Sequence, residues 1–192
     1  MNSKEVFTNI YDNNFWTNGS GPGSRLDTTI EYRTRIEHFI KTCKIQTIAD
    51  ICCGDMQFTK AIDLHGATYV GYDCVPSVIA ENIKRYPVHK FVCCDVINQT
   101  DQIQPAELIL VKDAIMHWPN TSIVETLPKL LKKCDWLILT NDCDQLTDKD
   151  INLGEFRELN IERYPLNQFK ACFLLNYNHK DVWLLRGNGV CQ

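Results

Sequence analysis

The chain has 192 residues, 44% hydrophobic and 23% charged, with a formal net charge of -4 and a pI near 5.7. That is the size and composition of one globular domain with a proper core. The acidic balance argues against a broad non-specific nucleic-acid surface. No apolar run reaches the length of a membrane span, and Met1-Asn2-Ser3-Lys4-Glu5 lacks the apolar core of a signal peptide. The expected compartment is therefore the cytoplasm.

Residues 1–26 are polar with interspersed aromatics (Phe7, Tyr11, Phe15, Trp16), followed by the turn-rich Gly19-Ser20-Gly21-Pro22-Gly23-Ser24. Aromatics seek burial, so this stretch predicts a helix and a loop folded over a site rather than a free tail. A domain over residues 27–192 follows. Residues 27–43 carry a rough helical stripe (Ile30, Ile36, Phe39, Ile40), with Asp27-Thr28-Thr29 available to cap it. Strands are expected at 45–51, 68–72, 89–94, 108–112 and 136–140, and helices at 58–64, 75–85 and from about 121 to 131. Alternation of this kind gives a parallel sheet with helices on both faces. The apolar runs 170–177 and 181–186 flank Asn178-His179-Lys180 and predict a closing antiparallel hairpin.

Ten cysteines occur singly or as the adjacent pairs Cys52-Cys53 and Cys93-Cys94, with no CxxC spacing. Neighbours on a strand point to opposite faces, so neither pair suits one metal ion. Free, mostly buried thiols are expected, with no zinc and no disulfide.

Chemistry concentrates at the strand ends. Asp50, Asp73, Asp95 and Asp113 each close an apolar run, on the edge where open α/β sheets bind ligands. One such aspartate is usually a cap or turn former; four in register suit a nucleoside. Asp73 is placed to accept from vicinal ribose hydroxyls and Asp95 from an adenine amine, with the backbone of Val96 at a ring nitrogen. Gly54 permits close approach of the chain. A dinucleotide fold would need GxGxxG where Cys52-Cys53-Gly54-Asp55-Met56-Gln57 stands, and no Walker loop is present.

On Asp50-Ile51-Cys52-Cys53-Gly54-Asp55, Asp73, Asp95 and the hairpin, the chain resembles the class I S-adenosylmethionine-dependent methyltransferases over about residues 36–187. The resemblance implies a Rossmann-like seven-stranded, mostly parallel sheet ending in an antiparallel C-terminal hairpin. It implies S-adenosylmethionine as cofactor, held by Asp50, Cys52, Gly54, Asp73, Cys74, Asp95, Val96 and Lys112. Cys52 stands where the family pattern commonly has its first glycine. The Ser20–Arg25 stretch is expected to form a lid that meets the cofactor's carboxylate, with Arg25 among the cofactor-binding residues, and it is similar to a stretch in small methyltransferases of glycan synthesis. The same likeness favours a sugar hydroxyl, in a glycan or nucleotide sugar, as methyl acceptor. Other small molecules, RNA, protein and a non-catalytic cofactor-binding subunit remain alternatives.

The amine-orienting Asn/Asp-Pro-Pro-Tyr/Phe motif is missing from Lys112-Asp113-Ala114-Ile115-Met116-His117-Trp118. Asp113 and His117 would share a face if the turn is helical, and either suits a general base for a hydroxyl. Each also has a plain structural alternative: Asp113 as a cap, His117 as packing before Trp118-Pro119. After the fifth strand, Asp142 is a further candidate base, and Asn141 and Asp144 face the acceptor side. Trp16, Trp118 and Arg157 complete the acceptor candidates. A divalent metal on Asp113 and Asp142 is less expected than a polar loop.

Overall fold

A computed structural model describes residues 2–144 and 149–187. Seven strands form one sheet: β1 Thr47–Ile51, β2 Thr68–Asp73, β3 Lys90–Cys93, β4 Ala106–Lys112, β5 Cys134–Asp142, β6 Ala171–Tyr177 and β7 Lys180–Arg186. Their order across the sheet is β3-β2-β1-β4-β5-β7-β6. The first five are parallel, and β7 runs antiparallel between β5 and β6. This is the Rossmann-like sheet with its antiparallel C-terminal hairpin. The helices are α1 Ser3–Asp12, α2 Ile30–Cys43, α3 Pro76–Arg85 and α4 Asn120–Leu131.

The central strands read as near-continuous apolar runs because both of their faces are covered. Ile48, Leu108, Leu110 and Ile138 pack with Tyr32, Ile36 and Ile40 of α2. Ala49, Ile109, Val111, Leu137 and Leu139 pack on the other face with Ile123, Leu127 and Leu130 of α4. Every parallel strand then delivers its last residue to the same edge. The hairpin turns on Asn178 (φ 45°) and His179 (φ 63°), the paired left-handed conformation that fits a two-residue loop to strand twist.

Two expected features differ. The helix foreseen over 58–64 is only a single 3-10 turn, Thr59–Ala61. Met56 (φ 63°) turns the chain before it, and Asp63 accepts from the His65 amide at 2.8 Å after it, so no length remains for a helix. Helix α2 starts at Ile30 rather than Asp27, without a side-chain cap. The Thr29 hydroxyl donates back to the Arg25 carbonyl at 2.7 Å, and Asp27 pairs with Arg25. The described cysteines are all free, and no described cluster of His, Cys, Asp or Glu is placed to hold a metal. Cys191 lies outside the described residues. Among the described helices none is long and apolar enough to cross a membrane.

Candidate active site

The carboxyl edges of β1, β2 and β4 end in turns that bend the chain sharply. Cys52 (φ 57°) and Gly54 (φ 56°) both adopt left-handed backbone after β1. Cysteine there bears a strain of about 1–2 kcal/mol that a glycine would escape. At Gly54 a side chain would also collide: a Cβ would lie 2.3 Å from Ser20 Oγ. Asp113 (φ 53°) makes the same kind of turn after β4, a strained non-glycine residue of the sort that gathers at functional sites.

These turns floor a cavity that opens to solvent. Asp50, Cys52, Gly54, Asp73, Cys74 and Lys112 line it, with Asp113 and His117 at one end and Trp118 alongside. Its roof is the N-terminal segment, through Phe7, Tyr11, Trp16, Ser20 and Ser24. A second, more open cavity lies beyond, lined by Met116, Asp142, Phe156, Lys180 and Gly21-Pro22-Gly23. Trp16, Ser20, Asp113 and His117 border both.

The buried carboxylates are individually supported. Asp73 accepts from the Gly54 and Val75 amides, each at 3.0 Å, which leaves lone pairs for a ligand. Burial nevertheless pushes its pKa up. Asp50 lies deeper, accepting from Tyr69 Oη at 2.7 Å, and burial pushes its carboxyl up to about 7.

At the junction of the cavities two lysines neutralise two aspartates. Lys112 Nζ donates to Asp113 Oδ2 at 2.5 Å and to the Gly23 carbonyl at 2.9 Å. Lys180 Nζ pairs with Asp113 Oδ1 at 3.2 Å and donates to Asp142 Oδ1 at 2.8 Å. Burial alone would raise the Asp113 carboxyl, but the two ammonium groups outweigh it and hold it below the ordinary value. Lys180 answers in kind: burial would lower it, yet Asp113 and Asp142 raise it. Lys112 is lowered, because its burial dominates.

His117 stands opposite, on the 3-10 turn Ile115–His117. Its Nδ1 lies 2.9 Å from the Glu155 carbonyl. A carbonyl only accepts, so Nδ1 carries the proton and Nε2 presents a lone pair. Burial lowers its pKa, so the ring is neutral near pH 7. Its ring packs between Trp16 (centroids 4.9 Å) and Phe156 (5.9 Å).

The roof is pinned at three points. Ser20 Oγ donates to Asp55 Oδ1 at 2.7 Å and accepts from the Asp55 amide at 3.1 Å. Its single proton is thereby used, so Tyr11 Oη, 2.8 Å away, donates to it. The second point is Gly23 on Lys112, and the third is the Asn18 carbonyl, which accepts from Gln57 Nε2.

Asp50, Cys52, Gly54, Asp73, Cys74, Lys112, Asp113, His117, Trp16 and Trp118 thus come together in one cavity, with Asp142 in the adjoining one. Six candidates do not line either. Arg25 is a half-exposed partner of Asp27. Asp95 accepts from the Ile97 amide and from Asn98 Nδ2, next to buried Val96. Asn141 is buried in β5 with no partner for its amide among the described residues. Arg157 is buried and clamps the α4 start, donating to the Trp118 carbonyl and Asn120 Oδ1, both at 2.7 Å. Two of its five N–H donors are thereby engaged by the fold. Asp144 pairs with His179 at 2.6 Å.

Sequence reasoning missed Lys180 and the Asp55–Ser20 contact. Lys180 opens β7, and its signal was topological: an antiparallel β7 beside β5 sets Lys180 opposite Asp142.

No protein-family model matches the chain, and no curated protein matches its sequence. Solved structures do. The N-methyltransferase NodS of Bradyrhizobium japonicum WM9, in complex with S-adenosyl-L-homocysteine, superposes with a TM-score of 0.67 over 98% of this chain and 100% of its own, at 13% identity. Human N-acetylserotonin methyltransferase, in complex with S-adenosylmethionine, gives 0.67 at 15% identity over 99% of this chain and 61% of its own. Magnesium protoporphyrin IX methyltransferase of Synechocystis PCC 6803, with S-adenosylmethionine bound, gives 0.60 at 13% identity over 96% of each. At such identities the likeness is one of fold, and the fold is that of the S-adenosylmethionine-dependent methyltransferases.

Proposed function

We propose that the chain is an S-adenosylmethionine-dependent methyltransferase acting on a sugar hydroxyl of a glycan or nucleotide sugar. The observation that carries the reading is the pair of joined cavities at the strand ends, with His117 and Asp113 on their common border. The fold alone does not select an acceptor: the similar structures include an N-methyltransferase, a porphyrin methyltransferase and an N-acetylserotonin methyltransferase.

The first cavity suits the cofactor on two counts. Asp73 retains lone pairs for two ribose hydroxyls. Tyr11, Trp16 and Phe7 offer aromatic faces to a sulfonium cation. Lys112, with one N–H beyond Gly23 and Asp113, is the better placed cation for the methionine carboxylate, since Arg25 points to Asp27. Asp95 and Val96 follow β3 at the same edge and are proposed for the adenine.

When bound, S-adenosylmethionine supplies an electrophilic methyl group. The chain's own residues supply alignment and a place for the acceptor's proton. Aligning the hydroxyl accounts for most of the effect expected of the protein. His117 Nε2 takes the proton, because the ring is neutral near pH 7 and its other nitrogen is fixed by Glu155. Asp113 is held ionised by two lysines and is a poor base; it orients Lys180. The sugar reading draws on the Ser20–Arg25 resemblance and on a second cavity pairing aromatic walls, Trp16 and Phe156, with polar groups.

Radiolabelled methyl transfer against nucleotide sugars, glycans, small phenols, RNA and protein tests this. A sugar O-methyl product is expected. A product methylated on nitrogen or on RNA would discard the sugar and keep the enzyme. Tight cofactor binding with no acceptor methylated would favour a non-catalytic subunit.

A further inference from the structure

The second cavity contains a polar pair that the chemistry above leaves without a task. Lys180 has only 6% of its side chain exposed and Asp142 25%. The ammonium is tied to Asp142 Oδ1 at 2.8 Å and faces Asp113 Oδ1 at 3.2 Å. A lysine has three N–H donors, so at least one remains for a ligand. Among the described residues nothing donates to the other oxygen of Asp142. The pair therefore presents one charged donor and one charged acceptor a hydrogen-bond length apart, both largely dry and both opening on the same cavity.

The surroundings fix the orientation of this pair. Gly23 lies against it: a Cβ there would sit 3.0 Å from Asp113 Oδ2 and 3.4 Å from Lys180 Nζ. The backbone of the roof thus closes one side of the ammonium. The register Asp142↔Lys180 between β5 and β7 holds the two side chains abreast. Across the cavity stand Trp16, Phe156 and His117. Lys112 and Lys180 balance Asp113 and Asp142, so the site carries no net charge to attract an ionic acceptor. A carboxylate in the cavity would face two aspartates whose counter-charges are already engaged.

We infer that Lys180 and Asp142 form the specificity pair of the acceptor site, and that they read two neighbouring hydroxyls on an uncharged ring. Lys180 donates to one hydroxyl oxygen, and Asp142 accepts from the other hydroxyl. Neighbouring ring hydroxyls stand about one hydrogen bond apart, which matches the spacing of the pair. The apolar face of the ring packs on Trp16 and Phe156. The inference rests on the methyltransferase reading and adds to it the feature that selects the acceptor.

The test uses the full chain loaded with S-adenosyl-L-homocysteine. The probes are the methyl glycosides of mannose, galactose, rhamnose and xylose, their monodeoxy counterparts, and the matching uronates. Saturation-transfer NMR and calorimetry report binding. At least one neutral glycoside should bind. Removing either of two neighbouring hydroxyls should weaken it about tenfold to a hundredfold, the scale of a lost charge-assisted hydrogen bond, and its uronate should bind more weakly than the parent. In Lys180→Met and in the nearly isosteric Asp142→Asn, the gap between the parent and the corresponding deoxy sugar should shrink to less than about threefold. Affinity for S-adenosyl-L-homocysteine and the melting temperature should move little in Asp142→Asn, which carries the test if Lys180→Met fails to fold. Undiminished deoxy penalties in both folded variants, or preferential binding of the uronates, would overturn the assignment. So would binding of S-adenosyl-L-homocysteine with no response to any glycoside. Failure to bind S-adenosyl-L-homocysteine at all would instead strike the methyltransferase reading.

Discussion

The two nitrogens of His117 have separate duties. Nδ1 is fixed on the Glu155 carbonyl, and Nε2 is left as a bare acceptor beside the cavities. Burial lowers the ring's pKa, so protonation, and with it loss of the base, occurs below the ordinary histidine value of about 6.5. The kcat/KM profile should therefore fall on the acid side, with an apparent pKa below about 6.5. His117→Gln should lose about a hundredfold or more in kcat, flatten that limb and bind cofactor normally; wild-type turnover in this variant would remove His117 from the mechanism. Asp73→Ala should weaken cofactor binding by about 1.5–3 kcal/mol in calorimetry, and unchanged affinity would refute the ribose assignment. Asp50, Asp73, Asp113 and His117 were legible because a strand end is a local feature: an apolar run, then a polar turn. Arg157 and Lys180 were not, because what a cation does depends on partners far away in sequence. Arg157 turned inward to Trp118 and Asn120, while Lys180 came to Asp142 through strand pairing.

At the scale of elements, the N-terminal segment behaves as a strap whose fastenings are few and named. Ser20 holds Asp55, Gly23 holds Lys112, Asn18 holds Gln57, and Tyr11 supports Ser20. Ser20→Ala removes the hydroxyl shared by Tyr11 and Asp55. Amide hydrogen exchange in residues 11–25 should then quicken, while exchange in β1 and β4 stays unchanged; equal protection of residues 11–25 in the variant would show the strap is held otherwise. Gly54→Ala should act on the same fastening from below, since its Cβ would overlap Ser20 Oγ and its backbone is left-handed. A chain beginning at Asp27 should lose cofactor affinity, and normal turnover by it would make residues 1–26 dispensable. The strap was foreseeable from aromatics placed beside a glycine-rich loop. The missing helix at 58–64 was not: its apolar pattern was right, but Met56 and Asp63 close turns on either side, and turn chemistry overrides a short periodic run.

Across the whole molecule, the parallel sheet and its antiparallel end could be read in advance from alternation and the closing hairpin, and the seven-stranded form from the family resemblance, whereas the strand order came only with the structure. One global consequence falls on stability. Asp50 has its carboxyl raised to about 7 by burial, despite the Tyr69 and Thr59 hydrogen bonds and nearby Lys112. An acid whose pKa is higher folded than unfolded holds its proton more tightly in the native state. Its contribution to stability is therefore intact below the unfolded value of about 4 and declines as pH rises toward 7. Melting temperatures of the wild type and Asp50→Asn, compared from pH 5 to pH 8, should diverge in the variant's favour with rising pH; parallel curves would place the Asp50 pKa near its ordinary value. The roof carries a kinetic consequence. Trp16, Ser20 and the Gly21–Gly23 backbone wall the second cavity as well as the first. On the proposed assignment, the acceptor's compartment is complete only with the strap fastened, and the strap fastens over the compartment proposed for the cofactor. Substrates should then add in a compulsory order, cofactor leading, with the spent cofactor leaving last. Steady-state patterns would show it: S-adenosyl-L-homocysteine competing with S-adenosylmethionine, and the methylated product competing with neither substrate.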